Sequence, residues 1–286
     1  MIESPRTLTT LIVGCGYLGR RVAARLVAAG LPVIGTTRSV ANAEALRTLG
    51  VTPLVVDVTE PASLRNLPEV DRVLHCVGFD RKAGVPLREV QLVGLGHVLA
   101  ALEGRSVRLV HTSSTSVYGQ NDGSWVDENS PTVPATESGR VCLEAEGLVL
   151  ARGGVVVRYS GLYGPGRMIR RESLERGDPI PADPSKYLNL IQVEDAATAA
   201  ILALDRGESG QVYLATDDRP VRREEYYGLA ARLLGAPTPR FEPPEPGSPG
   251  ARDESHKRAS NRRIKAELGL VLAYPDVTTG LPAALS

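Results

Sequence analysis

Three glycines, Gly14, Gly16 and Gly19, stand in the spacing Gly-x-Gly-x-x-Gly between the apolar run Leu8 to Val13 and an amphipathic stretch. When a strand precedes it and a helix follows, this spacing has a mechanical purpose. The first two glycines let the turn be tight and the backbone approach a pyrophosphate, which the amides and dipole of the helix N-terminus hold. The third allows close helix packing. The run Gly14-Cys15-Gly16-Tyr17-Leu18-Gly19 therefore reads as a dinucleotide-binding turn. An NAD-selective site usually ends its second strand on Asp or Glu, but here the chain runs Thr36-Thr37-Arg38-Ser39. Arg38, with the hydroxyls of Thr37 and Ser39, suits a ribose 2′-phosphate, which favours NADP with NAD as the alternative.

Such a turn needs a sheet behind it. Apolar runs predict strands at Leu8 to Val13, Pro32 to Thr36, Pro53 to Val56, Arg72 to Cys76, Arg108 to Thr112 and Val155 to Tyr159. Helical periodicity falls between them at Leu18 to Ala29, Ala41 to Leu49, Leu87 to Leu102 and Gly139 to Leu150. This alternation specifies an α/β fold, a Rossmann-type doubly wound parallel sheet covered on both faces. After Gly164-Pro165-Gly166 the pattern turns irregular, then returns with Leu188 to Val193, a helix Glu194 to Leu204 and a strand Gln211 to Leu214. The expected division is a dinucleotide-binding domain over 1–166 plus 188–214, and a smaller C-terminal substrate lobe over 167–187 plus 215–286. Within that lobe Pro237, Pro239, Pro243, Pro244, Pro246 and Pro249 predict a loop.

Thirty-three basic and thirty-three acidic residues cancel, so no net field draws nucleic acid or an anionic membrane, and a small molecule is the expected partner. No run of eighteen uncharged apolar residues and no apolar leader is read, which points to the cytoplasm. Cys15, Cys76 and Cys142 are scattered, and the four histidines lack ligand spacing, so neither a disulfide framework nor a bound metal is expected.

Further segments carry a resemblance: Val56-Asp57-Val58, Val73-Leu74-His75-Cys76-Val77-Gly78, Thr112-Ser113-Ser114-Thr115-Ser116-Val117-Tyr118-Gly119, Arg158-Tyr159-Ser160-Gly161-Leu162-Tyr163-Gly164-Pro165-Gly166, and Asn189-Leu190-Ile191-Gln192-Val193-Glu194-Asp195. With the glycine turn, they resemble the short-chain dehydrogenase/reductase superfamily, in its extended epimerase/dehydratase-like branch. The resemblance implies that Asp57 and Val58 lie at the adenine, that Cys76, Val77 and Gly78 pass the ribose, and that the turn at Tyr163 borders the nicotinamide. It is also compatible with a homodimer. Asn189 and Asp195 read as loop and helix-cap positions that hold the lobes together.

The resemblance implies a Ser or Thr, supplied by Ser114, and a Tyr-x-x-x-Lys pair on one helical face. At that pair this chain has Ser138 and Cys142. Neither a serine hydroxyl nor a thiol reproduces a phenol activated by a fixed positive charge. The runs Ser114-Thr115-Ser116-Val117-Tyr118-Gly119 and Ser138-Gly139-Arg140-Val141 together resemble an atypical, YeeZ-like subgroup. Candidate catalytic groups are Ser114, Ser138 and Tyr118; candidate substrate anchors are Arg81, Lys82 and Arg140. Two functions follow: an NADP-dependent oxidoreductase or epimerase acting on a hydroxyl or carbonyl compound, with nucleotide sugars among the candidates, or a non-catalytic NADPH-binding redox sensor or scaffold.

Overall fold

The computed structural model describes residues 7–244 and 255–285. Strands β1 (Thr10–Val13), β2 (Val33–Thr37), β3 (Thr52–Val55), β4 (Arg72–His75), β5 (Arg108–Ser114), β6 (Val155–Tyr159) and β7 (Val212–Ala215) form one parallel sheet in the order β7-β6-β5-β4-β1-β2-β3. The first strand starts two residues later than Leu8. All four of its residues are buried, as are those of β4, where the apolar pair Val73-Leu74 lies between buried Arg72 and His75. The order reverses between β1 and β4, which pair from Thr10↔Arg72 to Val13↔His75. In open α/β sheets the crevice at such a reversal, outside the carboxyl ends of the strands, is where ligands bind.

Helices α1 (Tyr17–Ala28), α2 (Val40–Thr48), α3 (Gly94–Ala101) and α4 (Glu137–Leu150) follow the predicted alternation. The stretch expected as one helix from Leu87 begins instead as a wide π turn over Glu89–Val93, closed by the Gly94 amide on the Glu89 carbonyl. A Cβ on Gly94 would sit 2.7 Å from Val58 Cγ2, so this glycine lets the helix come close to the loop after β3.

By Cα proximity the chain forms two compact units, Met1–Ser113 with Glu137–Val157 and Ala197–Val212, and Ser114–Thr136 with Arg158–Ala196 and Tyr213–Ser286. The core of the first gathers residues of the sheet, α3 and α4, among them Leu11, Val73, Leu95, Val98, Val149 and Val156. The core of the second gathers Tyr163, Leu174, Ile180, Tyr226, Val277 and Leu281. The second unit carries short two-stranded ribbons: Leu190–Gln192 on Gly161–Tyr163, Tyr187–Leu188 on Val221–Arg222, Arg258–Ala259 on Trp125–Val126, and Phe241–Glu242 on Ile180–Pro181.

Of the late elements grouped with residues 1–166, Leu190–Gln192 pairs with Gly161–Tyr163, and Val212–Ala215 joins the central sheet. One expectation needs correction. The proline-rich stretch is not wholly loop, since Phe241–Glu242 is a strand paired on one side, where flanking prolines are tolerated. Pro246 and Pro249 lie outside the described residues. Among the described residues no helix is long and apolar enough to cross a membrane.

Candidate functional site

The glycine turn has the geometry its spacing predicts. Gly14 adopts φ +94°, and a Cβ there would fall 2.7 Å from Val77 Cα, so both conformation and space require glycine. At Gly19 a Cβ would lie 2.6 Å from the Gly14 carbonyl oxygen, which is the close helix packing expected of the third glycine. Gly16 differs: a Cβ there would meet nothing within 4 Å. This open space lies at the cap of α1, and no side chain caps that helix end. Amides over an unobstructed surface are what a pyrophosphate needs, so the residues fit a dinucleotide.

The turn is fixed from β2. Thr36 Oγ1 accepts the Gly14 amide at 2.9 Å, and the Thr36 carbonyl accepts the Cys15 amide at 3.0 Å. Arg20 adds a link, its guanidinium donating to the Cys15 carbonyl and to Asn42 Oδ1. Neither Thr36 nor Arg20 stands out in the sequence as a site residue; the only signal for Thr36 is a polar residue buried at the end of an apolar strand. Cys76 donates from Sγ to the Gly14 carbonyl at 3.2 Å, and burial pushes its thiol pKa well up. Burial pushes that of Cys15 up to about 12. Both sulfurs are inert packing groups under the turn. Tyr17 is half-buried beneath the Arg21 guanidinium, and Leu18 is buried.

The remaining cofactor candidates of the first unit fall into two groups. Arg38 is exposed beyond β2, its guanidinium 3.9 Å from Asp80. Ser39 caps α2 by accepting the Asn42 amide, and Thr37 Oγ1 accepts the Ser39 amide. Asp57 Oδ1 accepts both the amide and the hydroxyl of Thr59, so this carboxylate also closes a turn. Val58 is buried, and Val77 and Gly78 continue the chain past β4.

The substrate candidates of this unit are placed less favourably. Arg81 and Lys82 lie exposed on a short 3-10 turn, Arg81–Ala83, capped by Asp80. Arg140 is exposed on α4 and pairs with Glu137 at 3.1 Å, which lowers its availability as a clamp. Ser138 is exposed on the same helix, and Cys142 is half-buried one turn on.

A polar pair bridges β4 and β5. His75 and His111 occupy one register, and their Nδ1 atoms are 3.0 Å apart. Burial and the neighbouring ring hold His75 well below the usual histidine range, and burial takes His111 to about 4. The pair is therefore neutral at pH 7, with one ring donating and the other accepting.

The second unit contains a cavity of ≈ 350 Å³ whose wall includes Ser114, Tyr118, Asn189 and Lys257. Ser114 ends β5, and its Oγ accepts the Ser116 amide, which fixes the hydroxyl as the cap of a short 3-10 turn. Tyr118 is 2% exposed, and its phenolic oxygen accepts a hydrogen bond from Arg158 at 2.8 Å. Tyr163 is fully buried with its hydroxyl against Gly280, so only its backbone is available to border a ligand. Asn189 and Asp195 act as clamps. Asn189 bonds the backbone of Lys257 and Ala259, and Asp195 accepts the amides of Ala273 and Tyr274. Lys257 was missed by sequence reasoning because nothing in the local run His256-Lys257-Arg258 distinguishes a cavity lysine from a surface one.

The chain is similar to known proteins in family and fold. Residues 10–215 match the model of the NAD dependent epimerase/dehydratase family. The chain is 31% identical to protein YeeZ of Escherichia coli (strain K12), over 93% of this chain and 96% of that protein. It is 29% identical to 4-hydroxy-2-methyl-3-oxo-4-farnesyl-3,4-dihydroquinoline-1-oxide ketoreductase of Stigmatella aurantiaca, over 78% of this chain and 72% of that one. Among solved structures, UDP-glucose 4-epimerase of Thermus thermophilus complexed with NAD superposes with a TM-score of 0.81 at 21% identity, covering 97% of this chain and 98% of that chain.

Proposed function

This chain belongs to the NAD dependent epimerase/dehydratase family, and on that premise we propose that it is an NADP-preferring oxidoreductase or epimerase acting on a hydroxyl or carbonyl group of a small molecule. One observation carries the reading: the strand–turn–helix in which Gly14 needs its positive φ, Gly19 its close contact and Gly16 its open space. A bound nicotinamide dinucleotide would supply the hydride acceptor or donor. The residues that would hold it are the amides of Gly16, Tyr17, Leu18 and Gly19 at the pyrophosphate, Asp57 and Val58 at the adenine end, and Cys76 to Gly78 along the ribose. Arg38, Thr37 and Ser39 would take the 2′-phosphate that selects NADP.

Ser114 is the proposed hydrogen-bond donor to the substrate oxygen. Its own oxygen already accepts the Ser116 amide, which leaves its proton to give. Ser138 and Cys142 stand where the family resemblance leads one to expect Tyr and Lys, so proton exchange at the substrate oxygen would not run through the usual phenol. Tyr118 is a weaker substitute than its sequence position suggests, because its hydroxyl is buried on Arg158. That same fact favours the second reading, a cofactor-binding sensor or scaffold without turnover.

The test is a fluorescence titration of NADPH and NADH, followed by a screen of carbonyl compounds for loss of reduced-nicotinamide absorbance. The expected result is tighter NADPH binding, with turnover abolished in Ser114→Ala. Equal affinity for both cofactors, unchanged in Arg38→Ala, would overturn the NADP assignment. Firm NADPH binding without turnover across a broad screen would favour the sensor.

A further inference from the structure

Gln120 follows Tyr118-Gly119 and forms part of the wall of the cavity that contains Ser114. Its side-chain amide has one orientation open to it. Nε2 donates to the Pro131 carbonyl at 3.0 Å, and because a carbonyl only accepts, the amide oxygen cannot take that place. The oxygen, Oε1, stands at the other end, buried and without a hydrogen-bond partner among the described residues. An acceptor cut off from bulk water and given no donor destabilises the chain that carries it, and buried polar atoms are satisfied in the great majority of cases. A donor from outside the chain removes that cost.

The surroundings hold Gln120 in place. A Cβ on Gly119 would run into the Val133 carbonyl oxygen, so the chain at 119 passes in close contact with the chain at 133. The two stretches joined by this approach and by the bond from Gln120 to Pro131 both supply wall: Ser114 and Asn121 come from one, Ala135 and Thr136 from the other. Among the described residues that line the cavity there is no carboxylate to hold an ammonium, so a neutral hydroxyl is the donor that suits the site. A volume of ≈ 350 Å³ sits at the small end of ligand cavities, which run from about 300 to 1,000 Å³.

We propose that Gln120 is the specificity-determining acceptor of this cavity, and that the cavity takes a compact neutral hydroxy-ketone or hydroxy-aldehyde whose hydroxyl donates to Gln120 Oε1. The carbonyl of the same molecule accepts the Ser114 proton, the one group on the wall already assigned to a substrate oxygen. Gln120 touches no reacting atom in this arrangement; it selects the ligand and fixes which way round it lies. That the ligand is oxidised or reduced rests on the oxidoreductase reading above; that its hydroxyl is read by Gln120 does not.

The experiment uses the full chain and ligand-observed NMR titrations, with and without NADPH, of two hydroxy ketones and the ketones that carry a methyl in place of the hydroxyl: acetoin against methyl isopropyl ketone, and diacetone alcohol against methyl neopentyl ketone. The expected result is that at least one hydroxy ketone binds about tenfold tighter than its isostere, the size of one hydrogen bond to an otherwise unpaired buried acceptor. Gln120→Met should bring that ratio close to one. A role in shape alone would weaken hydroxy ketone and isostere alike and leave the ratio standing, which would overturn the proposal. If Gln120→Met does not fold, the methyl ether of the leading hydroxy ketone decides in the unaltered chain: it keeps the oxygen but has no proton to donate, so it should bind no tighter than the isostere. An ether as tight as the alcohol, or hydroxy ketones that bind no tighter than their isosteres, absence of binding included, would also overturn the proposal. Hydroxyl preference without oxidation of NADPH would count against the oxidoreductase reading and leave the role of Gln120 intact, whereas turnover with equal kcat/KM for hydroxy ketone and isostere would do the reverse.

Discussion

The glycine turn and the Ser114 cavity are built by opposite means. The turn is made almost entirely of backbone drawn from one short stretch, braced by Thr36 and by the end of β4. The groups it would offer a dinucleotide are amides, and a Cβ at Gly16 would meet nothing within 4 Å. The cavity is made of side chains brought together from residues 114 to 257, and its charged group is a lysine whose position depends on hydrogen bonds to Tyr118 and Ser255. A backbone site tolerates little change in its own few residues but is indifferent to distant ones. A side-chain site assembled over such a span fails whenever one of its distant supports gives way.

The largest effect that would sharpen this contrast comes from Gly14→Ala. It combines an unfavourable φ with contact on Val77, and should weaken NADPH binding by more than about a hundredfold while costing roughly 3 kcal/mol of stability. Gly16→Ala, where a Cβ meets nothing, should leave the urea midpoint unchanged and weaken NADPH by at least about tenfold. Equal loss of stability in the two variants would break the distinction between a glycine needed for the fold and one needed for the ligand.

Asp195→Ala probes the other region. This buried carboxylate accepts two amides of the 273–274 segment, so its loss should cost about 4 kcal/mol in chemical denaturation. NADPH affinity measured below the unfolding transition should hardly move. If affinity fell in step with stability, the turn would not be the self-contained device described here.

The histidine pair makes the first unit pH-sensitive. His111 is held neutral down to about 4, whereas an unfolded chain takes up its proton near 6.5, so the unfolded state binds more protons between those values. Stability is fully present above about pH 6.5 and declines as the pH falls toward 4, by on the order of 3 kcal/mol from His111 alone, with His75 acting in the same direction. Urea denaturation at about pH 7.5 and about pH 4.5, compared with His111→Phe, measures this. A variant with the same pH slope as the parent would exclude the pair as its source.

The smallest effect is expected at Arg38, which is half exposed and close to Asp80. Arg38→Ala should lower the preference for NADPH over NADH by about tenfold, and Asp80→Asn should raise NADPH affinity slightly by removing a competing carboxylate. Paired titrations of the two nucleotides read both changes.

Much of this molecule was legible because much of it is local. Strand–helix alternation depends on burial patterns within about ten residues, and the Gly14–Gly19 spacing reports a turn whose parts touch one another. For the same reason the sequence was silent on pairing where an apolar run had no local sign of its partner. Leu190 to Gln192 pairs with Gly161 to Tyr163 rather than the main sheet, and Phe241 and Glu242 pair with Ile180 and Pro181 despite the prolines nearby.

By itself, then, the sequence determined the family, the parallel α/β sheet and the backbone cradle for a dinucleotide, since hydrophobic periodicity and glycine spacing encode these over short stretches of chain. Tertiary structure alone decided which charged and hydroxyl-bearing side chains meet. It turned the Tyr118 phenol onto Arg158, set His75 against His111, left Arg140 paired with Glu137 and buried Lys257 beside Ser114. Those outcomes depend on packing between side chains that the fold, not their order along the chain, brings together, and no spacing in the sequence records such distances.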